Sequence, residues 1–126
     1  MRNDITKHVL AGDIKVDAFE QSHGCSTTLG FRFGDIAYST DVVHLNKTGF
    51  AALEGVKICI VDCFRHELHQ THSWLEKTLS WIERIQPERA ILTHMGQTLD
   101  YETLLAKTPH NVEPAYHGMV LEINKA

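Results

Sequence analysis

Apolar and polar residues alternate in the first third of the chain, which predicts extended structure there. Residues 14–20 alternate strictly over most of their length, as a half-buried strand does. Residues 28–33 and 36–40 flank Gly34 and Asp35. Two extended runs around a Gly-Asp pair predict a β-hairpin.

Continuous β-branched runs follow further along the chain. Residues 56–62 and 89–93 predict buried strands, because both faces of such runs are apolar. The short segments 112–115 and 119–123 predict a final pair of strands around residues 116–118.

Helical spacing separates these strands. Residues 46–53 predict a short helix that ends at Gly55, and residues 99–107 predict another. The sequence Ser73-Trp74-Leu75-Glu76 resembles a capping box, with Ser73 as the N-cap of the clearest helix, which Pro87 terminates. The apolar face of that helix is predicted to comprise Trp74, Leu75, Thr78, Trp81, Ile82 and Ile85. We interpret both tryptophans as core residues rather than as stacking platforms for nucleobases.

The order of these elements predicts an α/β (α+β) fold in which helices cover one face of a mixed sheet. The 126 residues are enough for one domain with a real core. The net charge of −4 and the lack of a long basic run do not favour nucleic acid as a partner. No apolar run approaches the roughly 20 residues of a membrane span.

Cysteine usage and the polar start of the chain suggest a compartment. The three cysteines are odd in number and form no C-x-x-C pair, which is typical of reduced thiols. Residues 1–7 contain no apolar signal core. We therefore expect a cytoplasmic protein that does not associate with membranes.

Three residues at predicted strand ends could carry chemistry. His23, Asp41 and His94 each lie at, or just after, the carboxyl end of a predicted strand. Imidazole and carboxylate are ligands of hydrolytic divalent metals, so the three resemble half of a metal site. Each has a plainer alternative: His23 as a turn residue, Asp41 as a turn or helix-cap acid, and His94 as a hydrogen-bonded core histidine.

Other histidines lie in two kinds of context. Cys63, His66, His69 and His72 recur every three residues and could bind zinc, but no second cluster follows at zinc-finger spacing. His72 directly precedes the predicted capping box, where a helix N-terminus could orient its ring. We interpret the remaining histidines in polar stretches as surface residues, namely His8, His44 and His110.

Several motifs together resemble the C-terminal half of a metallo-β-lactamase-fold hydrolase, and the similarity runs from about residue 13 to 123. The branch that the chain resembles is the phosphoribosyl 1,2-cyclic phosphodiesterase group, which is related to the tRNA 3′-processing endonucleases. The motifs that carry the resemblance are His23-Gly24 with residues 28–33, residues 37–41, Thr71-His72-Ser73, residues 90–95 with 99–104, and residues 112–119.

The resemblance implies a metal site with two divalent ions, zinc or manganese. His23 would bind the first ion, Asp41 would bridge both, and His94 would bind the second. His72 would lie beside the substrate phosphate and protonate the leaving oxygen. The implied substrate is a phosphate-containing small molecule, such as a cyclic ribose phosphate or a nucleotide.

The chain departs from the family in what it lacks. It has no H-x-H-x-D-H motif, which supplies four of the family's seven ligands. His117 stands where the family would have an acid, and we interpret it as a turn residue near the substrate pocket.

The resemblance also implies that residues 1–126 form a partial domain. Its uncovered sheet face would favour a homodimer or association with a missing N-terminal half. The alternative to an enzyme is an inactive half-domain that acts as a binding or self-association module.

Overall fold

The computed structural model describes residues 7–11, 14–24, 26–63, 74–93, 101–116 and 118–121. Within these residues, seven strands form a single sheet whose spatial order follows the chain. The strands are β1 (Lys7–Ala11), β2 (Ile14–His23), β3 (Ser26–Phe33), β4 (Ile36–Ser39), β5 (Ile58–Asp62), β6 (Arg89–Thr93) and β7 (Val112–Pro114). The helices are α1 (Lys47–Leu53), α2 (Leu75–Ile85) and α3 (Tyr101–Lys107).

The sheet is mixed, as the sequence predicts. Strands β1 to β4 pair antiparallel, whereas β4 to β7 pair parallel. Gly34, in the turn between β3 and β4, has a φ of 63°, which glycine adopts without a steric penalty. Helices α1, α2 and α3 lie in the three crossovers between parallel strands, which need connections of that length.

One face of the sheet carries the core. Phe19, Ala37, Cys59 and Leu92 project from this face and are fully buried. They join a cluster whose helical members come from α1 and α2, namely Ala52, Leu53, Trp81 and Ile82. The prediction that helices cover one face is confirmed, as is the core position of Trp81.

The opposite face exposes an apolar stripe. Phe31 pairs directly with Tyr38 across β3 and β4, and Leu29 lies two residues along on the same face. These three side chains keep 38%, 42% and 42% of their surface exposed, in that order. We call Leu29, Phe31 and Tyr38 the apolar stripe. The stripe is a contiguous set of exposed apolar side chains rather than single ones scattered over the surface.

The short helix α1 lies where the sequence predicts a helix, but it begins one residue later, at Lys47. The Asn46 side chain is the N-cap and accepts a hydrogen bond from the Gly49 amide at 2.8 Å. Gly55, with a φ of 75°, follows the helix. This N-cap also excludes one alternative for Asp41, because Asn46 and not Asp41 caps the helix.

The predicted start of α2 is wrong by one residue. Trp74, and not Ser73, is the N-cap, and it makes no capping hydrogen bond through its side chain. Its extended backbone, with a φ of −112° and a ψ of 168°, delays the first helical residue to Leu75. Ser73 lies outside the described residues.

Two strand predictions also differ from the structure. Strand β1, which pairs with β2 at the edge of the sheet, is not predicted by the sequence pattern. The predicted strand at 119–123 is wrong where the structure describes it, at 119–121. Gly118 has a φ of 83°, and the Met119 amide donates to the Tyr116 carbonyl at 3.0 Å, so the chain forms a turn there.

The described helices are short. The longest is α2, with 11 residues. Within the part of the chain that the structure describes, no helix is long and apolar enough to cross a membrane.

Candidate functional site

The strand directions bring the carboxyl ends of several strands to one edge of the sheet. Strand β2 runs in the same direction as β4, because each is antiparallel to β3, and β4 to β6 are parallel. Their carboxyl ends therefore lie at the same edge. His23 is the last residue of β2, Asp41 follows β4 by two residues, and Asp62 is the last residue of β5.

A backbone bridge joins the segments that contain His23 and Asp41. The Val43 amide donates to the Ser22 carbonyl at 2.8 Å, and the Ser22 amide donates to the His44 carbonyl at 3.2 Å. Ser22 precedes His23, and Val43 is two residues from Asp41. The two sequence-predicted ligands thus belong to segments that are hydrogen-bonded to each other. His44 itself is exposed, as predicted.

Three further sequence-predicted site residues lie outside the described residues. These are His72, His94 and His117. Strand β6 ends at Thr93, at the same edge as His23, and His94 is the next residue in the chain. Their assigned roles stay predictions.

Asp41 has an uncommon backbone conformation. Its φ is 54°, in the left-handed region, and its side chain is exposed. Few residues other than glycine adopt this region, although aspartate and asparagine tolerate it better than most. Such conformations persist only where surrounding contacts hold them, and they cluster at functional sites.

The Gln21 side chain supplies one of those contacts. Gln21 is 2% exposed, and its Nε2 donates to the Thr40 carbonyl at 2.5 Å and to Thr28 Oγ1 at 3.3 Å. Its Oε1 accepts from Ser39 Oγ at 2.7 Å. Thr28 Oγ1 in turn donates to the Asp41 carbonyl at 2.8 Å. The peptide groups before and after the Asp41 Cα are therefore both held by side chains.

The Asp62 carboxylate supplies another contact. Its Oδ2 accepts from the Val42 amide at 3.1 Å, and both Asp62 and Val42 are fully buried. Leu45, 3% exposed, anchors the same loop in the core. Sequence reasoning missed Gln21 and Asp62 as residues of this edge. The available signal was a polar residue next to Phe19 on a buried face and an acid at the end of a buried strand.

The described donors are consistent with part of a metal site. His23 offers an imidazole nitrogen and Asp41 an exposed carboxylate, which are ligands that zinc and manganese accept. Among residues 7–11, 14–24, 26–63, 74–93, 101–116 and 118–121, no group of three or more His, Cys, Asp or Glu side chains could hold a metal ion. The described residues therefore provide two donors and not a complete site.

Cys63 is a core residue. It is fully buried, and burial, together with the neighbouring Asp62 charge, raises the pKa of its thiol to about 12. The alternative in which Cys63 forms part of a zinc site stays a prediction. The other members of that cluster, His66, His69 and His72, lie outside the described residues.

A family model decides the relationship to known proteins. The model described as the beta-lactamase superfamily domain matches residues 2–95. The chain belongs to the β-lactamase superfamily. This membership confirms the resemblance inferred from the motifs, and the mixed sheet with helices on one face is the predicted fold.

Solved structures agree with the family. A diphosphatase from the PhnP family is 28% identical, with a TM-score of 0.90 over 94% of this chain and 47% of that one. Zinc-bound PqqB from Methylobacterium extorquens is 14% identical, with a TM-score of 0.71 over 94% of this chain and 54% of that one. This β-lactamase superfamily chain therefore spans about half the length of these solved relatives.

A curated relative gives the same picture of a partial match. An octanoyltransferase from Porphyromonas gingivalis is 24% identical over 110 residues, which are 85% of this chain and 22% of that protein. Most of that protein lies outside the matched segment, and its name refers to the whole protein rather than to the region that it shares with this superfamily chain.

Proposed function

We propose that this chain forms the C-terminal part of a metal-dependent phosphodiesterase of the β-lactamase superfamily. The observation that carries the proposal is Asp41, an exposed carboxylate that neighbouring side chains hold in the left-handed region at the edge where β2, β4, β5 and β6 end. In this proposal a complete site forms only when the rest of the metal ligands are supplied by a second segment.

His23, Asp41 and His94 would hold two divalent ions, zinc or manganese. Asp41 would bridge them, while His23 and His94 would each complete one coordination shell. When bound, such ions supply a nucleophile near neutral pH and neutralise charge that develops on a phosphate. The backbone contacts around Asp41 support this role, because a bridging carboxylate needs a fixed position.

His72 would act on the leaving group. A histidine has an ordinary pKa close to neutral pH, so it can hold a proton and deliver it to a departing ribose oxygen. His117 would contribute to the substrate pocket. Both assignments rest on the family resemblance and on the positions of these residues in the sequence.

The substrate class would be a phosphodiester, and we favour a cyclic ribose phosphate or a nucleotide. The chain is similar over nearly its whole length to a diphosphatase of the PhnP family, which supports chemistry at a phosphate. Its net charge of −4 supports a small-molecule substrate over a nucleic acid chain.

The apolar stripe supports a partner for this chain. Leu29, Phe31 and Tyr38 are exposed, and the chain spans about half the length of its solved relatives. We propose that a further segment of the same superfamily domain covers the stripe and supplies the remaining ligands. A homodimer formed through the stripe is the alternative arrangement.

The test uses the longest open reading frame that contains residues 1–126, here called the whole reading frame. Its product, loaded with Mn²⁺, is assayed against a ribose 1,2-cyclic phosphate and, separately, against a diphosphate ester. Hydrolysis of the cyclic phosphate supports the proposal, while selective hydrolysis of the diphosphate ester would replace the substrate class. His72→Ala is expected to lower kcat by roughly 10²–10⁴-fold with metal content unchanged, which is the range for lost general acid help.

A further inference from the structure

The loop after β4 is held by side chains at the backbone of three consecutive residues. The Thr40 carbonyl accepts from Gln21, the Asp41 carbonyl accepts from Thr28, and the Val42 amide donates to Asp62. These bonds flank a single strained residue on both sides. A loop that only connected a strand to a helix would not require buried polar side chains from two other strands.

Burying the polar side chains of Gln21 and Asp62 costs free energy unless they form hydrogen bonds in the native state. Gln21 is 2% exposed and Asp62 is fully buried, and side chains of these types are seldom completely buried. Neither is a sequence-predicted metal ligand. Both contact the backbone next to the residue to which the proposed function assigns the bridging role.

We propose that Gln21 and Asp62 are positioning residues that hold Asp41 in its left-handed conformation so that its carboxylate can bind metal. This inference rests on the proposed function, because it concerns the same site. Gln21 fixes the peptide group before Asp41 and Asp62 fixes the peptide group after it. Together they supply contacts that keep a strained φ occupied in the folded state.

The physical reason is preorganisation. A carboxylate on a mobile backbone loses conformational entropy each time it binds a metal ion. A carboxylate on a fixed backbone has already lost this entropy during folding. Residues that orient a metal ligand without touching the metal typically affect metal affinity by about 10–100-fold when they are removed.

The experiment compares a buried hydrogen bond to the Asp41 loop with a buried hydrogen bond to the main chain of β5. Asp62→Leu removes the acceptor of the Val42 amide. Asp62→Asn keeps an acceptor oxygen. Thr78→Val is the control, because Thr78 is also fully buried and its Oγ1 donates to the main-chain carbonyl of Asp62 at 2.5 Å, whereas the Val42 amide is bound by the Asp62 carboxylate. These three variants and Gln21→Leu are made in the whole reading frame.

The first readout is amide hydrogen exchange at Val42 in the absence of metal. We expect protection in the wild type, in Asp62→Asn and in Thr78→Val, and its loss in Asp62→Leu. Unchanged protection in Asp62→Leu would overturn the inference, because the carboxylate would then not hold this peptide group.

The second readout is the dissociation constant for Co²⁺, followed by its visible absorption, beside the urea midpoint of the metal-free protein. Asp62→Leu and Gln21→Leu are expected to weaken Co²⁺ binding by about 10–100-fold, while Thr78→Val lowers the urea midpoint but leaves Co²⁺ affinity close to that of the wild type. If Thr78→Val weakens Co²⁺ binding as much as Asp62→Leu does, Asp62 has only a structural role.

The two possible failures can be distinguished. A wild-type protein that binds no Co²⁺ contradicts the proposed function itself. A wild-type protein that binds Co²⁺, together with an Asp62→Leu variant that binds it equally well, contradicts only the positioning role.

Discussion

The ring of Phe19 lies across Gly30, its directly opposed neighbour on β3. A Cβ at position 30 would collide with the Phe19 ring and would lie 2.8 Å from Gln21 Oε1. Phe19 is fully buried, and Gln21 follows it on the same face of β2. Gly30 thus leaves the space in which both a large core residue and the Gln21 amide reach their positions.

We expect Gly30→Ala to lower the free energy of unfolding by about 1–3 kcal/mol, because the added methyl group overpacks a filled core. Urea denaturation measures the loss. Gly34→Ala is the control: a Cβ there meets nothing within 4 Å, but the φ of 63° disfavours alanine. In a background that carries Phe19→Leu, the loss of unfolding free energy caused by Gly30→Ala should become smaller, whereas the loss caused by Gly34→Ala should not change. A smaller loss in both, or in neither, would contradict the packing explanation.

Substitutions can separate the contributions that the backbone conformation of Asp41 and its charge make to the free energy of unfolding. Asp41→Asn should leave the free energy of unfolding nearly unchanged, because asparagine tolerates a φ of 54°. Asp41→Ala should lower it by about 1 kcal/mol, since an ordinary residue is disfavoured in the left-handed region. Chemical denaturation of the metal-free protein gives both values. Equal stability of the two variants would mean that Asp41 is not strained.

The apolar stripe should govern association of the 126-residue chain by itself. Phe31→Lys places a charge in the centre of the stripe and should lower self-association, which sedimentation velocity measures. Leu105→Lys is the matched control, because Leu105 on α3 is similarly exposed at 43%. If Leu105→Lys reduces association as much as Phe31→Lys, the stripe is not the contact surface.

The buried thiols should make stability fall at high pH. Burial raises the pKa of Cys59 from 9.0 to about 12, so the folded protein keeps the proton that the unfolded chain releases. The stabilising effect is complete below pH 9 and is lost as the pH rises from 9 towards 12. Cys59→Ala should make this decline shallower by up to about 1.4 kcal/mol per pH unit, the value for one proton. If the free energy of unfolding falls with the same slope in the wild type and in Cys59→Ala between pH 9 and 12, the raised pKa of Cys59 is contradicted.

The sequence predicts much of the fold because the relevant signals are local. The hairpin at Gly34, the strand β6 and the short helix α1 each depend on residues within one turn, strand or helix. Strand β1 is missed because it is defined by its pairing with β2 rather than by its own pattern. The apolar run that follows the turn at Gly118 resembles a strand by its sequence, but residues 119–121 are not part of one.

The candidate site is predicted only in part. His23 and Asp41 lie at strand ends, as their contexts indicate. The φ of Asp41 and the contacts from Gln21 and Asp62 could not be predicted, because they depend on bonds between residues up to 20 positions apart. Alternation along a strand identifies a buried polar residue but does not say which backbone group it binds.

The central claim, that Asp41 belongs to a two-metal site, is tested most directly by metal content. The product of the whole reading frame is loaded with Mn²⁺, dialysed and analysed for bound metal, beside its Asp41→Asn and His94→Ala variants. We predict two ions per chain in the wild type, with loss of at least one ion in each variant. Wild-type metal content that neither substitution changes would contradict the account.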